Sequence, residues 1–180
     1  MVIACADSRV DPATIFSARP GELFILRNVA NLVPSPSGRG SRSLGAALAF
    51  AVGTLCVSDI VVMGHGGCGG IAACLQMHDG VDHSADHVAE WMQEALPARH
   101  EVDRMHPGAG GDARQRLLEH VAIIHSLANL AAYPPVPTAL AAGRLRLHGA
   151  WFSIGEGLLE WLDEESGRFV PVPEVAAGPA

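Results

Sequence analysis

Cys5-Ala6-Asp7-Ser8-Arg9 and His65-Gly66-Gly67-Cys68 are the two stretches around which the sequence is organised. Each follows a short apolar run, at residues 2–4 and 60–63, that is typical of a strand buried on both faces of a sheet. Neighbouring parallel strands end at the same edge of a sheet, where α/β proteins bind ligands. The pattern therefore predicts that the two stretches meet at that edge.

The side chains of these stretches form a ligand set that is typical of zinc. Cys5 and Cys68 supply two thiolates and His65 supplies an imidazole, and zinc prefers these soft and borderline donors. Glycines at 66 and 67 allow a turn tight enough for His65 and Cys68 to hold one ion. Three protein ligands leave a fourth position open for chemistry. The alternatives are a structural Cys2His site, which would lack the usual fourth protein ligand, and a redox pair, which more often has the spacing CxxC.

Asp7 and Arg9 lie two and four residues after the first proposed ligand. A carboxylate beside a guanidinium can form a bidentate pair and remain ionised. Their position next to a proposed metal ligand favours a functional role for both residues. The alternative is an ordinary surface salt bridge, which contributes little to stability.

The bulk properties exclude several classes of protein. A length of 180 residues and a hydrophobic content of 49% suit one globular domain with a sizeable core. The net charge of −7 and the lack of a basic run argue against a nucleic-acid partner. No stretch is long enough to span a membrane, and no signal peptide precedes the first strand. The expected compartment is the cytoplasm, where cysteines stay reduced and available as ligands.

The hydrophobic pattern predicts an α/β fold with a mixed, mainly parallel central sheet, helices on its faces and a C-terminal antiparallel hairpin. The clearest long helix covers residues 113–132, with Leu117, Val121, Ile124 and Leu127 on one face. Strands are predicted at residues 2–4, 23–26, 60–63 and 145–148, and the hairpin at residues 150–154 and 158–163. Shorter helices are predicted at residues 11–18, 43–52, 71–77, 88–96 and 138–142.

The motifs C-A-D-S-R-V at residues 5–10 and H-G-G-C-G-G at residues 65–70 resemble those of the β-class carbonic anhydrases. The resemblance covers nearly the whole chain and includes residues 20–24, 27–31, 43–52 and 147–152. It implies a carbonic anhydrase (carbonate dehydratase, a zinc lyase) with one Zn²⁺ per chain. The implied reaction is the reversible hydration of CO2 to bicarbonate and a proton through a zinc-bound hydroxide.

The resemblance also implies roles for individual residues. In the family, the aspartate matching Asp7 accepts a hydrogen bond from the zinc-bound hydroxide while the arginine matching Arg9 holds it. When released, that aspartate can bind zinc and shut the enzyme off. Phe24, Val29 and Phe50 fall where the family lines an apolar substrate pocket, and Gly66, Gly67 and Gly69 fall where backbone N–H groups approach the bound oxygens. The alternatives are core packing for the first three and a tight turn for the glycines.

For assembly, the resemblance implies a homodimer or a dimer of dimers. Family members usually begin with a helical arm, whereas this sequence starts directly with a strand, so residues 1–180 are interpreted as a single domain without the arm. Some members have a second bicarbonate site built from Trp, Arg and Tyr. The matching positions here are Val2, Arg27 and Phe152. No such site is therefore expected, and Arg27 is expected to support the sheet or the dimer.

Other functions share parts of this pattern. Some relatives with the same motifs hydrolyse CS2 or COS, and a substrate assay is needed to separate them. A catalytically decayed, zinc-binding structural relative is a further alternative, although the intact pair of Asp7 and Arg9 argues against decay. A nucleotide-binding loop is disfavoured, because the glycine-rich turn carries His and Cys where a phosphate loop ends in Lys and Ser or Thr.

Overall fold

In the part of the chain that the structure describes, six strands form one mixed sheet in the order β2-β1-β3-β4-β5-β6. The structure, a computed structural model, describes residues 1–38, 40–81 and 86–172. The first four strands in this order are parallel to one another, and β5 and β6 are antiparallel to their neighbours. The strands are β1 Val2–Cys5, β2 Ile25–Asn28, β3 Asp59–His65, β4 Arg146–Ser153, β5 Leu158–Asp163 and β6 Arg168–Pro171. The predicted fold class is confirmed.

The helices alternate with the parallel strands, as crossover connections require. They are α1 Pro12–Ile15, α2 Ser41–Gly53, α3 Gly69–Gln76, α4 His87–Met92, α5 Leu96–Met105, α6 Gly111–Leu130 and α7 Val136–Ala141, with short 3-10 turns at Val29–Asn31 and Gln93–Ala95. Asp11 caps α1 by accepting hydrogen bonds from the backbone N–H and the hydroxyl of Thr14. None of the helices described here is both long and apolar enough to cross a bilayer.

Alternate residues of the central strands pack on opposite faces of the sheet. Ile3, Ile60 and Val62 join a core that α2, α6 and α7 complete. Val2, Val61 and other residues of the opposite face form a smaller cluster that side chains of α1 cover. A third cluster lies around α3, α5 and α6, and it includes both cysteines of the predicted metal site.

The strand predictions need two corrections. Residues 145–148 and 150–154 belong to a single strand, β4, which pairs with β3 on one side and β5 on the other. Gly149 lies inside this strand and serves close packing rather than a turn. A Cβ atom at this position would come within about 3.0 Å of the side chains of Leu162 and Ile123. The second strand begins at Ile25 rather than residue 23, and it lies at the edge of the sheet.

The buried face of α6 also differs from the prediction. Leu118, Ala122, Ile123 and Leu130 are buried, whereas Leu117, Val121 and Leu127 are half-buried and Ile124 is exposed. The helix is therefore rotated by about one residue relative to the predicted face. The buried positions include Glu119, a residue that hydrophobic periodicity cannot assign to a core.

Candidate active site

The parallel strands bring the two decisive stretches together at the carboxyl edge of the sheet. β1 ends at Cys5 and the adjacent strand β3 ends at His65. Cys68 follows on a turn and caps α3, which begins at Gly69. Gly67 has a φ of 65°, a conformation that glycine adopts at little cost. The predicted placement of the three side chains at one edge is thus what the structure shows.

Cys5, His65 and Cys68 form a buried cluster whose ligand atoms lie within 4.8 Å of one another. The two sulfur atoms are 4.0 Å apart. Tetrahedral Zn–S bonds of about 2.3 Å place two sulfurs about 3.8 Å apart. Both cysteines are free thiols rather than a disulfide. The spacing and the chemistry of these donors therefore fit a single zinc ion.

The imidazole of His65 is oriented as a metal ligand. Its Nδ1 lies 3.0 Å from the carbonyl oxygen of Gly66, which can only accept, so Nδ1–H is the donor. This leaves Nε2 as a neutral lone pair, the form that binds metals. Nε2 is fully buried and has no hydrogen-bond partner among the described residues. An unpaired buried polar atom is costly, and a bound metal ion would satisfy it.

The two thiols titrate as a pair. A hydrogen bond from Cys68, aided by the backbone N–H of Ala30 at 3.4 Å, lowers the pKa of Cys5, whereas the same hydrogen bond and burial raise the pKa of Cys68. The pair therefore loses its first proton more readily than an isolated thiol does, and the resulting negative charge attracts a cation.

Asp7 and Arg9 form the bidentate pair that the sequence predicted. Arg9 donates from Nε to Oδ1 at 2.9 Å and from Nη2 to Oδ2 at 2.6 Å, and its backbone N–H also donates to Oδ1. These hydrogen bonds hold the pKa of Asp7 well below its usual range. Oδ2 of Asp7 lies 3.9 Å from Nε2 of His65. An acceptor-only carboxylate is therefore fixed beside the cluster.

Arg27 supports the turn that carries this pair. Its guanidinium donates to the carbonyl oxygens of Cys5 at 2.9 Å, Asp7 at 2.6 Å and Val10 at 3.1 Å. The expectation that Arg27 supports the sheet or the dimer therefore needs refinement, because its side chain organises the turn after β1.

Gln115 and Glu119 of α6 hold the backbone of Cys68, a role that the sequence did not reveal. Oε1 of Glu119 accepts from the N–H of Cys68 at 2.9 Å, and Nε2 of Gln115 donates to the carbonyl oxygen of Cys68 at 3.2 Å. Oε1 also accepts from Gln115 at 3.0 Å, and Oε2 accepts from Nε1 of Trp151 at 3.1 Å. Glu119 is only 3% exposed. The i, i+4 spacing of Gln115 and Glu119 on a polar stretch was the available signal.

The remaining site predictions have different surroundings. Gly66 lies against the indole of Trp151, where a Cβ atom would come within 3.0 Å, so this position has no room for a side chain. Val29 contacts Gly70 next to the turn. The rings of Phe24 and Phe50 pack on each other with centroids 5.9 Å apart, and Phe50 is 49% exposed. A role in substrate binding for Phe24, Val29, Phe50, Gly66, Gly67 and Gly69 stays a prediction.

With this geometry established, comparisons identify the family. The sequence model of the carbonic anhydrase family matches residues 1–159. The chain belongs to this family. A carbonic anhydrase of Pseudomonas aeruginosa is 40% identical over 183 aligned positions, which cover 98% of this chain and 80% of that protein. The prediction of a carbonic anhydrase enzyme is confirmed.

Plant relatives are longer than this chain. The chloroplastic β carbonic anhydrase 5 of Arabidopsis thaliana is 39% identical over 153 residues, which cover 85% of this chain and 50% of that protein. The chain therefore spans about half the length of this relative.

Solved structures confirm the fold. The β-carbonic anhydrase CcaA superposes with a TM-score of 0.88 at 30% identity, over 95% of this chain and 82% of that one. A structure from a study of two tetrameric β-carbonic anhydrases of Sordaria macrospora has a TM-score of 0.78 at 28% identity, over 89% of this chain and 78% of that one. The predicted resemblance to β-class enzymes is thus confirmed in both sequence and structure.

Proposed function

We propose that Cys5, His65 and Cys68 hold one zinc ion and that the chain catalyses the reversible hydration of CO2 to bicarbonate. The observation that carries this proposal is the buried Cys2His cluster, in which His65 Nε2 has no hydrogen-bond partner among the residues that the structure describes. When bound, zinc lowers the pKa of a coordinated water from 15.7 to about 7 and so supplies a nucleophile near neutral pH.

In this proposal the protein contributes orientation of the reacting groups. Asp7 accepts a hydrogen bond from the nucleophilic water at Oδ2, the carboxylate oxygen that lies 3.9 Å from His65 Nε2. Arg9 occupies both oxygens of Asp7 and so keeps the carboxylate directed and ionised. Gly66 and Gly67 leave the turn without side chains, and Phe24, Val29 and Phe50 provide apolar surface for CO2.

We also propose that the enzyme acts as a homodimer or a dimer of dimers. The outer edge of β2 pairs with no strand in the described parts of the chain, and apolar side chains surround it.

The proposed compartment is the cytoplasm, because a reducing environment keeps Cys5 and Cys68 available as thiolate ligands.

The test is stopped-flow CO2 hydration at pH 7.5 and 8.5, on protein whose zinc content has been counted. We expect about one zinc per chain and a rate far above that of the buffer. Asp7→Ala should keep the zinc but lower kcat/KM by about 100-fold or more, the range of lost acid–base or positioning groups. Asp103→Ala is the matched control, since it removes an aspartate that pairs with an arginine, Arg114, on other elements.

Two results would contradict the proposal. A zinc content well below one per chain after dialysis would refute the metal site. Full zinc occupancy without CO2 hydration at either pH would refute the reaction, and CS2 and COS would then be the substrates to assay.

A further inference from the structure

The helix face that periodicity assigned to the core instead lines an open crevice. Leu117, Val121 and Ile124 of α6 face a cavity of about 450 Å³, bounded also by the end of α5 and by the β5–β6 hairpin. Binding sites for small molecules typically enclose about 300–1,000 Å³. The crevice is thus large enough for a small organic ligand, and it is distinct from the cluster of Cys5, His65 and Cys68.

The floor of the crevice is apolar. Leu117, Val121 and Ile124 repeat at helical spacing, and Phe169 of β6 completes the surface. Ile124 is 39% exposed, so part of this apolar surface is open to solvent. Covering this floor with a hydrocarbon group would release water from apolar surface and so favour binding.

The rim of the crevice is positively charged although the whole chain carries a net charge of −7. The lining includes Arg116 and Arg168, and the one carboxylate among its described residues is Glu160. Arg116 neutralises Glu160 through a 2.5 Å contact between Nη2 and Oε1. Within residues 1–38, 40–81 and 86–172, Arg168 makes no ion pair. An arginine has five N–H donors, so both guanidiniums retain donors for a ligand.

His120 adds a buried polar atom to the same wall. Its ring stacks on Phe169 with centroids 4.3 Å apart, and Nε2 is buried without a hydrogen-bond partner in the described parts of the chain. Burial, together with the charge of Arg116, lowers the pKa of His120 to about 4, so the ring is neutral near pH 7. Oε2 of Glu160 faces this atom at 3.8 Å, beyond hydrogen-bond distance, so the wall combines an aromatic surface with a polar atom that makes no hydrogen bond to the described residues.

We propose that this crevice binds a small monocarboxylate with an apolar body about the size of a benzene ring. The apolar body covers Val121, Ile124 and Phe169, and the carboxylate is bound by Arg168 with the spare donors of Arg116. Charge complementarity selects an anion, and the apolar floor selects an organic one over an inorganic one. The proposal is independent of the zinc site.

Occupancy of the crevice should be visible in tryptophan fluorescence. The guanidinium of Arg116 lies 4.4 Å from the ring centroid of Trp151, and the ring of His120 meets the same indole edge-on at 5.1 Å. A ligand that draws Arg116 towards the crevice changes the electrostatic surroundings of this indole.

The first experiment is a titration with benzoate, followed by calorimetry and by tryptophan fluorescence, with benzyl alcohol as the neutral analogue. We expect saturable binding of benzoate and no binding of benzyl alcohol at the same concentrations. Arg168→Ala should weaken benzoate binding by about tenfold or more, the loss of one charge-assisted hydrogen bond. Arg144→Ala removes an exposed arginine after α7 and should leave the affinity unchanged.

The second experiment locates the ligand. Histidine ring resonances are followed by NMR during the benzoate titration, and we expect His120 and His106 to shift while His65 does not. Ile124→Glu, which places a carboxylate on the floor, should abolish these shifts even if Arg168→Ala fails to fold. Equal binding of benzyl alcohol, an unchanged affinity in Arg168→Ala, or shifts confined to His65 would each overturn the proposal.

Discussion

The buried side chain of Glu119 needs two hydrogen-bond acceptors, so few other residues could take its place. Its two oxygens accept hydrogen bonds from three N–H donors, on Cys68, Gln115 and Trp151. A glutamine would have to turn its amide nitrogen towards at least one of these donors. We therefore predict that Glu119→Gln loosens the backbone of Cys68 and weakens zinc binding by about 10- to 100-fold, as loss of an outer hydrogen bond to a metal ligand does.

The measurement for Glu119→Gln is the rate of zinc release to a chromogenic chelator. A second readout is the absorption spectrum of the cobalt-substituted protein, which reports the geometry of the thiolate ligands. Glu156→Gln in the exposed β4–β5 turn is the control and should leave both unchanged. Zinc release and a cobalt spectrum identical to those of the unmodified protein would show that Glu119 has only a packing role.

His120 makes a testable contribution to the pH dependence of stability. Its pKa in the folded chain is about 4, because burial and the charge of Arg116 disfavour the protonated ring. The unfolded value is about 6.5, so between these values the unfolded chain binds more protons, and stability falls as the pH decreases. From pH 7 to pH 5 this loss is at most about 2 kcal/mol.

The variant His120→Phe should remove that loss. Phenylalanine keeps the stacking on Phe169, and no hydrogen bond of Nε2 is lost because it has none among the described residues. Urea unfolding at pH 5 and pH 7, with free zinc held constant, should show a smaller change in the variant. His78→Phe, an exposed position, is the control. An equal pH dependence in His120→Phe and the unmodified protein would contradict the prediction.

At the level of elements, α6 shows what the sequence could and could not reveal. Its extent was predicted within two residues at each end, because apolar residues recur at helical spacing. Its orientation was wrong by about one residue, because Glu119 is buried by Cys68 and by Trp151 of β4, which lie far away in sequence. Periodicity ranks side chains by hydropathy and cannot anticipate a carboxylate that three distant donors satisfy.

The strands also show which elements a hydrophobic pattern predicts and which it misses. β1 and β3 were predicted correctly because buried parallel strands are apolar runs, and the ligands that follow them were therefore placed at one edge. β6 was not predicted, since Arg168–Pro171 is short and mostly exposed. Arg27 was not assigned to the turn after β1, because its contacts are with backbone carbonyl groups, which carry no sequence signal.

At the scale of the whole molecule, the β2 edge of the sheet combines an unpaired strand with exposed apolar side chains. Ile25 is 36% exposed, Val29 40% and Phe50 49%, and the backbone of β2 pairs on one side only in the described parts of the chain. Exposed strand edges flanked by apolar groups promote association. This edge also lies next to Val29, which contacts Gly70 just after Cys68, so association would enclose the proposed site.

Phe50→Asp tests this inference, because a charge in the apolar patch disfavours a buried interface. Light scattering after size-exclusion chromatography should give two or four times the chain mass of 18.8 kDa for the unmodified protein and a single chain mass for the variant. CO2 hydration should fall with the loss of association, since the partner no longer covers the pocket. Met105→Asp, at an exposed position at the end of α5, should change neither mass nor rate. A single-chain mass for the unmodified protein, or an unchanged mass for Phe50→Asp, would contradict association through this edge.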